Sequence, residues 1–177
     1  PHIITDDSAS GGQRVEGSYK FDSSRANYIE RVPTVDGNRR TWTYSAWVKF
    51  CDKDGSGEVL ISGGNGCSSH SDDVRMGLYF DPNGTIVTDL CGIGAFETSY
   101  MKLKDFSAWY HIVWQFDTTQ PTAANRSIIY VNGENISVNR SRTWNESGNY
   151  GINSLSNRTN IGTFSNSLQS YPFDGYM

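Results

Sequence analysis

The chain is poor in the residues that build helices. Leu, Ala, Glu and Lys are all sparse, and a helical bundle needs those strong helix formers, so that class is excluded. Charge is also scarce: 19% of residues are charged and 36% hydrophobic, below the usual globular shares of roughly 25% and 45–50%. Basic residues are outnumbered, with 15 Lys plus Arg against 19 Asp plus Glu and a net charge of −4. A pI near 5.3 gives no basic footprint for nucleic acid. No run approaches the ~18 apolar residues of a membrane span, so no membrane insertion is expected. Pro1–Asp7 lacks the basic-then-apolar order of a signal peptide. Cysteine is limited to Cys51, Cys67 and Cys91. The spacings match no zinc pattern, which leaves free thiols, or one disulfide with a spare.

Aromatics are plentiful, at 13%. With the β-branched residues they favour a packed core over disorder, and 177 residues suit one domain. Residues 1–17 are polar and Gly/Ser-rich, as in an arm or linker. Short β-prone runs separated by turn clusters then fill residues 18–177. Tyr19–Asp22, Ala26–Val32, Thr41–Phe50, Glu58–Ser62, Val74–Phe80 and Thr85–Leu90 read as strands. Thr41–Phe50 alternates most clearly, with Trp42, Tyr44, Ala46, Val48 and Phe50 on one face and Thr43, Ser45, Trp47 and Lys49 on the other. Asp81-Pro82-Asn83-Gly84 and Asn132-Gly133 are hairpin turns, because Asn-Gly tolerates positive φ. Trp109–Asp117, Ser127–Val131, Glu134–Val138, Asn160–Phe164 and Phe173–Met177 complete the strands, with one helical turn expected at Leu103–Ser107. Such close strand spacing predicts an all-β antiparallel sandwich or jelly roll.

The order of four segments carries a resemblance. Trp109-Tyr110-His111-Ile112-Val113, Ser127-Ile128-Ile129-Tyr130-Val131-Asn132-Gly133, Asn160-Ile161-Gly162 and Phe173-Asp174-Gly175-Tyr176-Met177 together resemble a laminin-G-like domain, the concanavalin A-like jelly roll. The likeness runs from about Ser18 to Met177 and is nearest to versions in bacteriophage tail-fibre and other virion proteins. It implies a location at the virion surface or extracellular, and partners that are host-surface glycans or other virion proteins. A homo-oligomer or larger assembly follows from the same resemblance. Family members usually continue past the Phe-Asp-Gly-Tyr segment into a further apolar strand. The expectation is therefore a fragment, or a sheet edge that a neighbouring chain or segment completes.

Several residues are candidates for chemistry. Asp52, Asp54, Ser56 and Glu58 place oxygen ligands at alternate positions of a Gly-containing loop, as in the first half of a calcium loop. The twelfth position is Gly63 where a bidentate Glu belongs, and a solvated hairpin tip is the alternative. Asp72-Asp73 is a second acidic pair. Laminin-G-like domains often bind calcium at the rim, which the resemblance extends to this loop. Trp144 stands in a polar loop beside Arg142 and Asn145, so it either folds back as a plug or faces a ligand. A sugar would stack on such a ring while Asn, Asp or Arg supply hydrogen bonds. Tyr150, Tyr171 and His70 are further loop candidates. Trp42, Trp47, Trp109 and Trp114, all on strands, are expected in the core, and His111 in packing. Six Glu occur, none with an acidic partner two residues away on a clear strand. Glycoside hydrolysis needs a carboxylate pair, and no nucleophile elbow, phosphate loop or zinc helix is present, so a non-catalytic module is expected. Two readings remain: recognition of carbohydrate through rim loops, or a structural virion or decoration protein without a glycan ligand.

Overall fold

The computed structural model describes residues 17–25, 27–51, 57–67, 74–91, 93–155, 157–165 and 171–177. Among these, the strands are β1 (Lys20–Phe21), β2 (Ile29–Arg31), β3 (Thr41–Phe50), β4 (Glu58–Gly63), β5 (Met76–Phe80), β6 (Thr85–Leu90), β7 (Gly94–Lys102), β8 (Tyr110–Asp117), β9 (Ser127–Val131), β10 (Glu134–Asn135), β11 (Val138–Arg140), β12 (Thr159–Ile161) and β13 (Gly175–Tyr176). They form two antiparallel sheets, ordered β1-β13-β3-β8-β9-β10 and β11-β7-β6-β5-β4-β12-β2.

Alternation decides which sheet face is inward. In the six-stranded sheet, Val48, Phe50, Ile112, Trp114, Phe116, Ile129 and Val131 are buried. From the opposite sheet, Leu60, Met76, Leu78, Phe80, Ile86 and Leu90 join the same cluster. Each fully buried aliphatic or aromatic side chain contributes about 1.5–3 kcal/mol relative to exposure. Both expected hairpins form. Asp81 N–H donates to the Thr85 carbonyl at 2.9 Å, and Asn132 and Gly133 adopt φ of 52° and 86°, a pair of positive values that matches the strand twist.

Several expectations change. Trp47 and Trp109 are 57% and 41% exposed, not core. Trp47 sits on the outward-facing set of β3, and alternation prevails over its size. His111 packs as expected, stacked on Trp47 with ring centroids 5.1 Å apart and hydrogen-bonded to the Ser45 hydroxyl at 2.9 Å. Leu103–Ser107 is not helical: the Asp105 carboxylate accepts from Ser107 N–H at 2.9 Å and caps a turn instead. The expected Glu134–Val138 strand divides, because β10 pairs with β9 and β11 with β7, so the chain crosses between sheets at buried Ile136. β7 is a strand that the hydrophobic pattern did not announce. Cys67 and Cys91 form a disulfide, and Cys51 is free and exposed. β13 lies inside its sheet, between β1 and β3.

Candidate functional site

Residues 141–150 leave β11 and wrap over one end of the sandwich. Backbone bonds fix the start of this loop on β7, with Ser141 and Arg142 N–H donating to the Phe96 carbonyl at 3.0 and 3.3 Å. Its far side is held just past the end of β8, where Ser147 N–H donates to Thr118 O at 2.7 Å and the Thr118 hydroxyl to Gly148 O at 2.8 Å. Buried Arg126 fastens the base: its guanidinium donates to the carbonyls of Trp144 (2.9 Å), Gln120 (2.7 Å) and Pro121 (2.8 Å), and to Glu146 Oε2 (2.9 Å). A loop held at so many points presents its side chains in fixed positions.

Trp144 is the plug of this loop. It is 1% exposed, stacked on Phe96 at 4.3 Å and edge-on to Phe116 and Tyr150 at 5.1 and 4.9 Å. Of the two expectations for it the plug holds and the ligand-facing ring is corrected, since an indole enclosed by these three rings and Trp114 offers no free face. Tyr150, 8% exposed, accepts a hydrogen bond from Asn145 N–H at 2.9 Å, so it shapes the site more than it reaches out from it.

Above this aromatic layer lies a cleft of about 430 Å³. Leu90, Ile93 and Phe96 form its floor, and Arg142, Asn145 and Tyr150 stand on its wall with Ser141, Thr143 and Asn149. Three of the five residues expected to bind ligand thus come together, with Trp144 beneath them. Arg142 is the only charged residue among the described residues lining the cleft. Its guanidinium and the Asn145 side-chain amide are exposed and have no intramolecular hydrogen bond among the described residues. Asn149 is engaged, accepting from Arg40 Nε at 2.9 Å. The floor residues Leu90 and Ile93 flank Cys91, so the disulfide to Cys67 secures that edge. These floor residues, with Ser141, Thr143 and Asn149, were not foreseen. Asn149 shares the polar loop, but the floor depends on the unannounced β7 turn.

His70, Asp52, Asp54 and Ser56, and likewise Asp72 and Asp73, lie outside the described residues. Glu58 is described and is 5% exposed, at the sandwich end beside Phe50, Phe80, Asp81 and Leu103. Among the described residues no group of three or more His, Cys, Asp or Glu could hold a metal ion, and no helix is long and apolar enough to cross a membrane. Tyr171 is 45% exposed, packs against Tyr79 and Phe164 and does not line the cleft.

A family profile described as the Concanavalin A-like lectin/glucanases superfamily matches residues 22–177. The chain belongs to this superfamily. As a concanavalin A-like domain it is similar to mouse laminin alpha1 domains LG4-5, with a TM-score of 0.58 and 15% identity over 90% of this chain and 38% of the laminin fragment. It is also similar to the CBM40 of Ruminococcus gnavus IT-sialidase in complex with alpha2,3 sialyllactose, with a TM-score of 0.54 and 19% identity over 78% of this chain and 72% of that one. A third likeness is to the heptameric SAP-like pentraxin of Limulus polyphemus, with a TM-score of 0.50, 16% identity and coverages of 84% and 65%. Identities this low speak for the shared concanavalin A-like fold alone. No curated protein matches the sequence.

Proposed function

We propose that this domain is a non-catalytic carbohydrate-binding module of a virion surface or tail fibre, and that the cleft over Phe96 holds the sugar. The observation that carries this reading is the pair of unengaged polar groups, Arg142 and Asn145, above an apolar floor. An apolar base with a few convergent hydrogen-bonding groups is the usual make-up of a small-ligand site. The described cleft lining includes no carboxylate, so the acid pair of glycoside hydrolysis has no counterpart there. Arg142 as the sole charge favours a sugar with a carboxylate or sulfate, which a guanidinium can bind through two parallel hydrogen bonds. The sialyllactose held by the bacterial module supports a saccharide ligand for this fold, and the resemblance to phage proteins supports the virion setting and host-surface glycans.

Calcium belongs to the proposal through Asp52, Asp54, Ser56 and Glu58, hard oxygen ligands suited to that ion. Glycan-array binding with and without calcium, followed by calorimetry, tests the whole reading. Arg142→Ala and Asn145→Ala, both at exposed positions, should keep the fold. The arginine change should weaken binding at least about tenfold, since a charge-assisted hydrogen bond is worth about 1.5–3 kcal/mol. Failure to bind any glycan in either condition rejects the proposal. The structural, ligand-free reading draws its support from the exposed Trp47 and Trp109.

A further inference from the structure

Arg39 and Arg40 stand just before β3 and grip the far end of the cleft loop at two adjacent residues. Arg39 Nε donates to the Tyr150 carbonyl at 2.9 Å, and Arg40 Nε to the Asn149 side-chain Oδ1 at 2.9 Å. Arg40 is itself fixed through its backbone. Its N–H donates to Asn38 Oδ1 at 3.0 Å, and its carbonyl accepts from Thr118 N–H at 2.9 Å. Thr118 in turn holds Ser147 and Gly148, so arginine and loop share one support. A guanidinium has donors and no acceptor. The Asn149 amide must therefore turn its oxygen to Arg40, which leaves its NH2 group as the free end. No described residue accepts from that Nδ2, and Asn149 lines the cleft together with Arg142. Both residues thus offer a ligand N–H groups.

We propose that Arg40 is a positioning residue of the cleft: by holding Asn149 Oδ1 it keeps the Asn149 NH2 turned to the ligand, and this second donor acts with Arg142 to select a sugar carboxylate over a hydroxyl. The inference rests on the glycan reading of the cleft and deepens it. A carboxylate accepts through two oxygens and has no proton to place. One oxygen can take the guanidinium and the other the amide. A sugar hydroxyl brings a proton that needs an acceptor when it is enclosed. With its oxygen engaged by Arg40, Asn149 supplies none. Once Arg40 is removed, the amide turns about its terminal torsion, which has no single preferred state. It then presents oxygen as readily as nitrogen, and an oxygen set against a carboxylate works against binding. Arg40 also carries a charge, so position and charge must be separated.

Glucuronic acid and glucose share a ring and differ at C6, so the ratio of their affinities reads the carboxylate. Each is titrated into the intact protein while the NMR signals of the cleft loop are followed. The native protein should bind glucuronic acid at least about tenfold more tightly. Arg40 is exposed, so substitutions there keep the fold. Arg40→Ala should lower the ratio about fivefold, the worth of one hydrogen bond, with glucose binding unchanged. Arg40→Gln carries its Nε2 on Cδ, where arginine carries Nε, and so retains the donor without the charge. It should restore the native ratio. Arg40→Lys retains the charge but has a methylene at that place, and should behave as Arg40→Ala does. The opposite order of these two variants assigns Arg40 to charge alone and overturns the proposal. Parallel losses for both sugars in Arg40→Ala mark a structural role and overturn it too, as does an unchanged ratio. Asn149→Asp, which still accepts from Arg40 but turns an oxygen to the ligand, should abolish the preference for glucuronic acid. Native protein that binds the two sugars equally, or neither, overturns the carboxylate selection. Only silence across the glycan array as well rejects the glycan reading on which it rests.

Discussion

Glu97 puts a carboxylate at a core-facing position, 1% exposed, where an aliphatic side chain would ordinarily sit. Three donors compensate it. The Ser127 hydroxyl donates a short bond, the Thr88 hydroxyl one of 3.1 Å, and Arg140 Nε one of 3.0 Å. Thr88 and Glu97 belong to one sheet and Ser127 to the other, so the carboxylate joins the two layers. The Trp114 indole N–H, donating to the Ser127 hydroxyl at 2.9 Å, extends this network into the aromatic core. Burial is the largest influence on Glu97 and raises its carboxyl above the ordinary 4.5, against the opposing pull of Ser127 and Arg140. The unfolded chain therefore loses this proton at a lower pH than the folded protein does. The contribution of the protonated acid is complete below about 4.5 and declines as pH rises through the elevated folded value. Gln at the same place has no proton to lose. Urea melts across pH 4 to 7 should show the advantage of the native protein over Glu97→Gln greatest at the acidic end and shrinking upward. A pH-independent difference would show that burial does not control this group.

At the scale of elements, the same residue explains why β7 was hidden. Thr88 and Glu97 pair across β6 and β7, so polar side chains occupy the inward places that an apolar alternation would mark. β3, β6 and β9 keep enough apolar inward residues to show the pattern, among them Tyr44, Val48 and Phe50, Ile86 and Leu90, and Ile129 and Val131, and their ends match the sequence reading. The loop that walls the cleft was half legible: Arg142, Asn145 and Tyr150 were foreseen from polar surroundings, whereas the lining opposite them comes from a distant β6–β7 turn that no local pattern links to them. Of the two cysteine alternatives, geometry takes the bridge, because β6 brings Cys91 beside Cys67 with Cα atoms 4.7 Å apart. This bridge closes a loop with a sequence separation of 24 and adjoins the cleft floor at Leu90 and Ile93. Cys67→Ser should cost about 3 kcal/mol in urea unfolding, chiefly by freeing the unfolded chain. It should also weaken any ligand of the cleft, while Cys51→Ser, at an exposed thiol, leaves both unchanged. Equal effects from the two substitutions would contradict the assignment.

On the scale of the molecule, the two halves of the six-stranded sheet meet through β13. It draws residues near the end of the chain between β1, near its start, and β3, the longest strand. The sequence reading placed a strand at Phe173–Met177 but could not place it in the sheet, since pairing partners more than a hundred residues apart leave no periodic trace. Buried Phe173 anchors the approach, edge-on to Phe21 at 5.7 Å, and Asp174 accepts from the Ser23 hydroxyl at 2.9 Å. Gly175 then passes so close to β3 that a Cβ there would lie 2.1 Å from the Lys49 carbonyl oxygen, with φ at +156°. Neither the backbone conformation nor the space accepts a side chain. Gly175→Ala must therefore push β13 off β3 or strain both. A cost of at least about 2 kcal/mol is expected from the clash and the strained backbone together, which in a domain of this size lowers Tm by about 4–8 °C. Because β1 reaches β3 only through β13, the loss should spread to β1. Amides of Lys20 and Phe21 should exchange faster with those of Gly175 and Tyr176, while β5 and β6 in the other sheet remain protected. Gly17→Ala, with nothing within 4 Å of its Cβ, should leave Tm unchanged. A Gly175→Ala protein that melts like the native one would mean that β13 does not hold the sheet together.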